Sequence, residues 1–227
     1  QLFAGVVVMI YPYAQHWSSA RSTDWLNSST YAQFVYVLLA ETVMLALLYL
    51  YLLRHGSTFK TIGLKRPRCR DPLYGLLAAP AYYAVYLLMV GIVSRYVSGL
   101  NVDQHQDIGF TDVHGVLQLS LTFISLVVLP PFVEEIMMRG FLYSSLKKVM
   151  KIVSAAIVTS LIFAALHLPE GGAAGPLYIA ALDTFILSLF LVYLREKTGS
   201  LWASITLHAI KNGVAFLTLF VIHAKKF

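Results

Sequence analysis

Six residues in this chain combine side-chain type and spacing in a way that could support acid–base chemistry: Glu134, Glu135, Arg139, His167, His208 and Asn212. The first three lie in Pro130-Pro131-Phe132-Val133-Glu134-Glu135-Ile136-Met137-Met138-Arg139-Gly140, with apolar runs on both sides. On a helix Glu135 and Arg139 stand four residues apart on one face and can pair. Glu134 is turned about 100° away from Glu135, so one carboxylate is neutralised and the other is left for chemistry. His167 closes the run Phe163-Ala164-Ala165-Leu166-His167, and His208 and Asn212 are again four apart. A carboxylate and an imidazole flanking one water can act together as a general base. A second imidazole and a carboxamide can donate hydrogen bonds to a developing oxyanion. The set reads as peptide hydrolysis without a covalent nucleophile. Two other readings use the same residues. Glu134, His167 and His208 could hold a zinc ion with one position open for water, although no HExxH pattern is present. Alternatively the charges only lock helices together, as interhelical polar contacts in membranes do for under about 1 kcal/mol each.

The elements that must position these groups are membrane helices. The chain has 227 residues, is 58% hydrophobic and only 12% charged, and has a mean hydropathy of +0.71. A soluble domain carries about twice that charged fraction. The formal charge is +6, but the cations sit in short loops, where the positive-inside effect accounts for them. No aromatic-plus-basic patch suggests nucleic acid. The single cysteine, Cys69, excludes an intrachain disulfide and a cysteine metal site. Residue 1 is Gln, which suggests a trimmed N-terminus, and the apolar run from Leu2 to Ile10 reads as a span or anchor.

Hydropathy places spans at 1–13, 31–53, 72–94, 114–146, 152–167, 176–194 and 200–222. The expected fold is an all-α polytopic bundle of about seven to eight helices, one transmembrane domain over 1–227. If 114–146 crosses once, the basic loop 54–71, the lysines at 147, 148 and 151, and Arg195 with Lys197 share the cytoplasmic side. Lys225 and Lys226 then fall on the other side. Thirty-odd helical residues reach about 50 Å, against about 30 Å for a hydrocarbon core. Pro130-Pro131 suggests where that span breaks, because prolines remove amide donors and clash with the preceding turn. Pro131 would then open a fresh helix, with the glutamates in its first turn beside a wet pocket. Counted from the turn near Met150, Glu134 and His167 lie at similar depths, about 24 and 25 Å. His208 and Asn212 lie about 14 and 20 Å from the end near Gly199. Glu41 and Asp183, inside other spans, read as structural, and His105 and His114 as solvated loop residues.

Taken together, Glu134-Glu135-x-x-x-Arg139, Phe163-x-x-x-His167 and His208-x-x-x-Asn212 resemble the CAAX protease and bacteriocin-processing (CPBP, also ABI) family, over roughly 72–222. The resemblance implies an intramembrane endopeptidase whose eukaryotic relatives trim the C-termini of prenylated CAAX proteins. It assigns water activation to Glu134 and His167, the oxyanion hole to His208 and Asn212, and a supporting role to Glu135 and Arg139. It implies a metal-independent glutamate mechanism with no cofactor, zinc on Glu134, His167 and His208 being the alternative. The implied partners are a membrane-associated protein or peptide, prenylated or not, and the lipid bilayer, with no nucleic acid. The implied location is multi-pass, in a prokaryotic plasma membrane. A non-catalytic scaffold or bacteriocin immunity protein of the same fold is the alternative from another class.

Overall fold

The computed structural model describes residues 2–97, 106, 108–169, 171 and 175–222. Its helices are α1 (Leu2–Ala14), α2 (Ser19–Ser28), α3 (Thr30–Arg54), α4 (Arg70–Tyr96), α5 (Gly115–Leu146), α6 (Ile152–His167), α7 (Tyr178–Thr198) and α8 (Trp202–Ile222). Among the described residues there is no β-strand. Helices α3, α4, α5, α7 and α8 are long and apolar enough to cross a membrane, and α1 and α6 are shorter apolar helices. Each expected span is therefore a helix, and the chain is an integral multi-pass membrane protein. His105, Lys225 and Lys226 lie outside the described residues. His114 is exposed and pairs with Asp112 at 2.6 Å.

The interruption at Pro130 and Pro131 takes a different form from an unwound break. Helical backbone runs through, but Ile124–Val128 and Ile136–Leu142 are π-helical, with the α-helical stretch Leu129–Glu135 between them. The Leu129 amide donates to the Ile124 carbonyl, five residues back. Two adjacent prolines cannot donate and crowd the preceding turn; a wider turn relieves the crowding while keeping the Leu129 amide bonded where lipid offers no water. Glu134 and Glu135 consequently lie mid-helix, not in the first turn of a fresh helix as the prolines suggested.

The described chain clusters into two compact units: Gln1–Gly56 with Gly109–Val133 and Lys211–Phe227, and Ser57–Ile108 with Glu134–Ile210. In the first, Ala4, Val8 and Pro12 of α1 recur every four residues and form its buried stripe, and α1 packs on α3. Helix α2 is a polar helix that hydropathy alone does not reveal. It is started by Ser18, whose Oγ accepts from the Arg21 amide, and Ser29 then starts α3 by accepting from Ala32. Tyr11, Trp17 and Trp25 stack around this corner, with Arg21 over Trp17. Such an aromatic cluster suits the headgroup level of a bilayer.

In the second unit α7 is the central helix. Its Ile186, Leu187, Leu191 and Leu194 are buried with Ala79 and Tyr82 of α4 and Ala203 and Leu207 of α8. Small residues at Ala155, Thr159 and Ser160 of α6 and Thr184 and Ser188 of α7 are all buried, which lets neighbouring membrane helices approach closely. Asp183 accepts a hydrogen bond from Tyr82, in keeping with a structural role. Gly199 ends α7 in the left-handed conformation (φ 63°) that only glycine adopts without strain. The basic loop is pinned at this end. Arg195 Nη2 donates to the Ile62 carbonyl at 3.1 Å, the Leu201 amide to Gly63 at 3.1 Å, and Trp202 Nε1 to Lys65 at 2.6 Å. Lys147 and Glu196 pair at 2.6 Å. The basic residues around 60–66, 147 and 195–197 thus gather at one end of the unit, as one-sided loops require.

At Gly75 the backbones of α4 and α8 come so close that an added Cβ would lie 2.6 Å from the Ala203 carbonyl oxygen, whereas one at Gly91 would meet nothing within 4 Å. Gly75→Ala should destabilise the protein by about 1–3 kcal/mol and Gly91→Ala should change it by less than about 0.5 kcal/mol. Thermal unfolding of both variants in detergent checks this; equal melting temperatures would contradict the close approach.

Candidate active site

The Glu135 carboxylate is the centre of a charged cluster inside apolar helices. It is fully buried, and so is Arg139. Arg139 Nη1 donates to Glu135 Oε1 at 2.9 Å, the i,i+4 pair that the spacing predicts. The same oxygen lies 3.0 Å from His208 Nδ1 on α8, 73 residues away in sequence. A carboxylate only accepts, so His208 donates from Nδ1 and turns Nε2 the other way. Nε2 lies 3.8 Å from Glu134 Oε2. The ring thus spans the two glutamates. Glu134 is about a third exposed at its side chain (30%) and Glu135 not at all (0%). Of the two carboxylates, Glu134 is the one that water or a peptide can reach.

His167 sits at the C-terminal end of α6, where its Nδ1 donates to the Phe163 carbonyl at 2.8 Å. A carbonyl cannot donate, so the Nδ1 proton is fixed and Nε2 of the neutral ring carries the lone pair. The imidazoles of His167 and His208 both stand edge-on to the Phe163 ring, with centroids 4.8 and 5.9 Å away. Arg139 lays its guanidinium carbon 4.3 Å from the centre of that ring, a favourable cation–π placement in a dry site. Phe163 therefore joins α5, α6 and α8 at this level. The sequence showed it only as the start of a helix-end run; the signal was its four-residue spacing from His167, which puts both on one face.

Asn212 lies one turn beyond His208 on α8, and its Nδ2 donates to the Leu126 carbonyl at 2.9 Å. Among the described residues no three His, Cys, Asp or Glu side chains converge as a metal site requires.

Fold and site define a polytopic helical membrane protein with a buried polar cluster, in which the His208 imidazole stands beside the reachable Glu134 carboxylate and the His167 imidazole is held against Phe163. Residues 116–214 match the family described as Rce1-like: Type II CAAX prenyl endopeptidase Rce1-like, which bears out the resemblance of the motifs to the CAAX protease family over that segment. The segment covers somewhat under half of the chain and contains all six residues of the cluster. No curated protein and no solved structure matches the chain.

Removing Glu135 alone would strand Arg139 and the His208 proton in a dry interior. Glu135→Ala should lose about 3–5 kcal/mol, and Glu135→Leu combined with Arg139→Leu should recover much of that, since an uncompensated buried charge is the larger penalty. Unfolding midpoints of the single and double variants measure this; a double variant no better than the single would contradict the pairing.

Proposed function

We propose that the chain is an intramembrane endopeptidase that hydrolyses a peptide bond near the C-terminus of a membrane-associated protein or peptide, prenylated or not. The observation that carries this reading is the His208 ring held between a buried carboxylate at Nδ1 and the reachable Glu134 near Nε2. Glu134 and the Nε2 lone pair of His167 activate a water, whose oxygen attacks the carbonyl carbon as its proton moves to the Glu134–His167 pair. The oxyanion that forms needs donors. With Nδ1–H committed to Glu135, His208 can donate from Nε2 only as an imidazolium, and the two glutamates provide the negative surroundings for that form. The Asn212 amide nitrogen carries two hydrogens. One is given to Leu126, and the second is assigned here to the oxyanion. Collapse of the intermediate breaks the C–N bond, and the proton taken from water passes to the leaving amine. Glu135 and Arg139 orient His208 and do not exchange protons with substrate. The reaction is metal-independent in this reading, and the chelator arm of the test below decides it.

The test uses purified protein in bilayers with farnesylated and unlipidated peptides. Glu134→Gln and His167→Ala should each lower turnover by about 10²–10⁴-fold, and His208→Ala by about 10²–10³-fold, with all three proteins folded. Activity should survive treatment with a strong zinc chelator such as phenanthroline. Full turnover by Glu134→Gln would end the glutamate mechanism; loss on chelation with recovery on added zinc would replace it with a metal-dependent one. A phenotype that persists in all three variants would favour a binding scaffold.

A further inference from the structure

The Leu126 carbonyl is in a position where the helix cannot satisfy it. In an α-helix its donor is the amide of residue 130, and in a π-helix that of residue 131. Both are prolines and have no N–H. The adjoining segment Ile124–Val128 is π-helical, so neither register supplies a partner. A backbone carbonyl left bare at membrane depth is strongly unfavourable, because lipid offers no donor. The donor present is the side chain of Asn212, whose Nδ2 lies 2.9 Å from Leu126 O across 86 residues of sequence.

We infer that Asn212 replaces the proline-deleted backbone donor, and through the Leu126 carbonyl holds the π-helical turn Ile124–Val128 of α5 in place. This role is separate from donation to an oxyanion and makes use of a different amide hydrogen. A carboxamide suits it because it presents a neutral donor; an aspartate in its place would oppose one oxygen to another.

The logic of the cap gives its test. Pro130→Ala restores a backbone N–H at the position that serves Leu126 in an α-helix, so the need for Asn212 should fall. Five full-length proteins are compared: the parent, Asn212→Ala, Asn212→Asp, Pro130→Ala, and the double variant Asn212→Ala with Pro130→Ala. Asn212→Ala should melt several degrees below the parent, and Asn212→Asp lower still. In the Pro130→Ala background the Asn212→Ala drop should vanish to within about a degree. Equal drops in both backgrounds, or no drop in either, overturn the cap. Melting needs no substrate, so absence of cleavage by the parent would sink the peptidase reading without deciding the cap.

Discussion

One carboxylate oxygen, Glu135 Oε1, accepts from an arginine on its own helix and from a histidine on another. In water such a pair would contribute little. In an apolar interior the balance changes, since each partner removed leaves a charge or donor that nothing else can satisfy. Net stabilisation relative to an apolar core is not what this arrangement offers. It offers uniqueness: Arg139 must meet Glu135, Glu135 must meet His208, and the guanidinium face must be covered by Phe163. The second half of α5, α6 and the first half of α8 are thereby fixed in rotation and height. The position of Glu134 next to His208 Nε2 follows from that fixation.

The parts legible in the sequence were those governed by local rules. Hydropathy located every apolar helix because a membrane demands long apolar runs whatever their neighbours. The Glu135–Arg139 pair was visible because four residues make a turn. Three features were hidden, each for a physical reason. The contact of His208 with Glu135 joins distant segments, and depth counting brought His208 near the glutamates without saying which one its Nδ1 would choose. The π-helical turns differ from α by about one residue per turn, a change too small for hydropathy to register, and the prolines read instead as a break. Helix α2 depends on the serine caps at Ser18 and Ser29 and on aromatic packing, and it is too polar overall for a hydropathy reading to mark it.

The segment that matches the CAAX endopeptidase family begins after α4, yet the unit that holds the charged cluster is not complete without α4. Tyr82 bonds Asp183 on α7, and Gly75 lets α4 approach α8 close to His208. The matched segment contains the charged cluster, and α4 lies behind it as a packing wall. A helix in that role is constrained mainly by size and closeness of fit, which many apolar sequences satisfy. Its place outside the matched segment is in keeping with that looser demand.

Helix α6 has sixteen residues and so reaches about 24 Å, less than the ~30 Å thickness of an apolar layer. Beginning at the lysine-bearing end, it stops at His167 before the layer does. The final carbonyls of any helix have no following turn to bond, and acyl chains cannot serve them. Here the protein supplies part of that need itself: His167 Nδ1 donates to the Phe163 carbonyl and the Leu168 amide to the Ala165 carbonyl. Under the hydrolysis proposed above, water is the second reactant and is scarce at such depth, so a helix that ends early is the place where its entry would cost least.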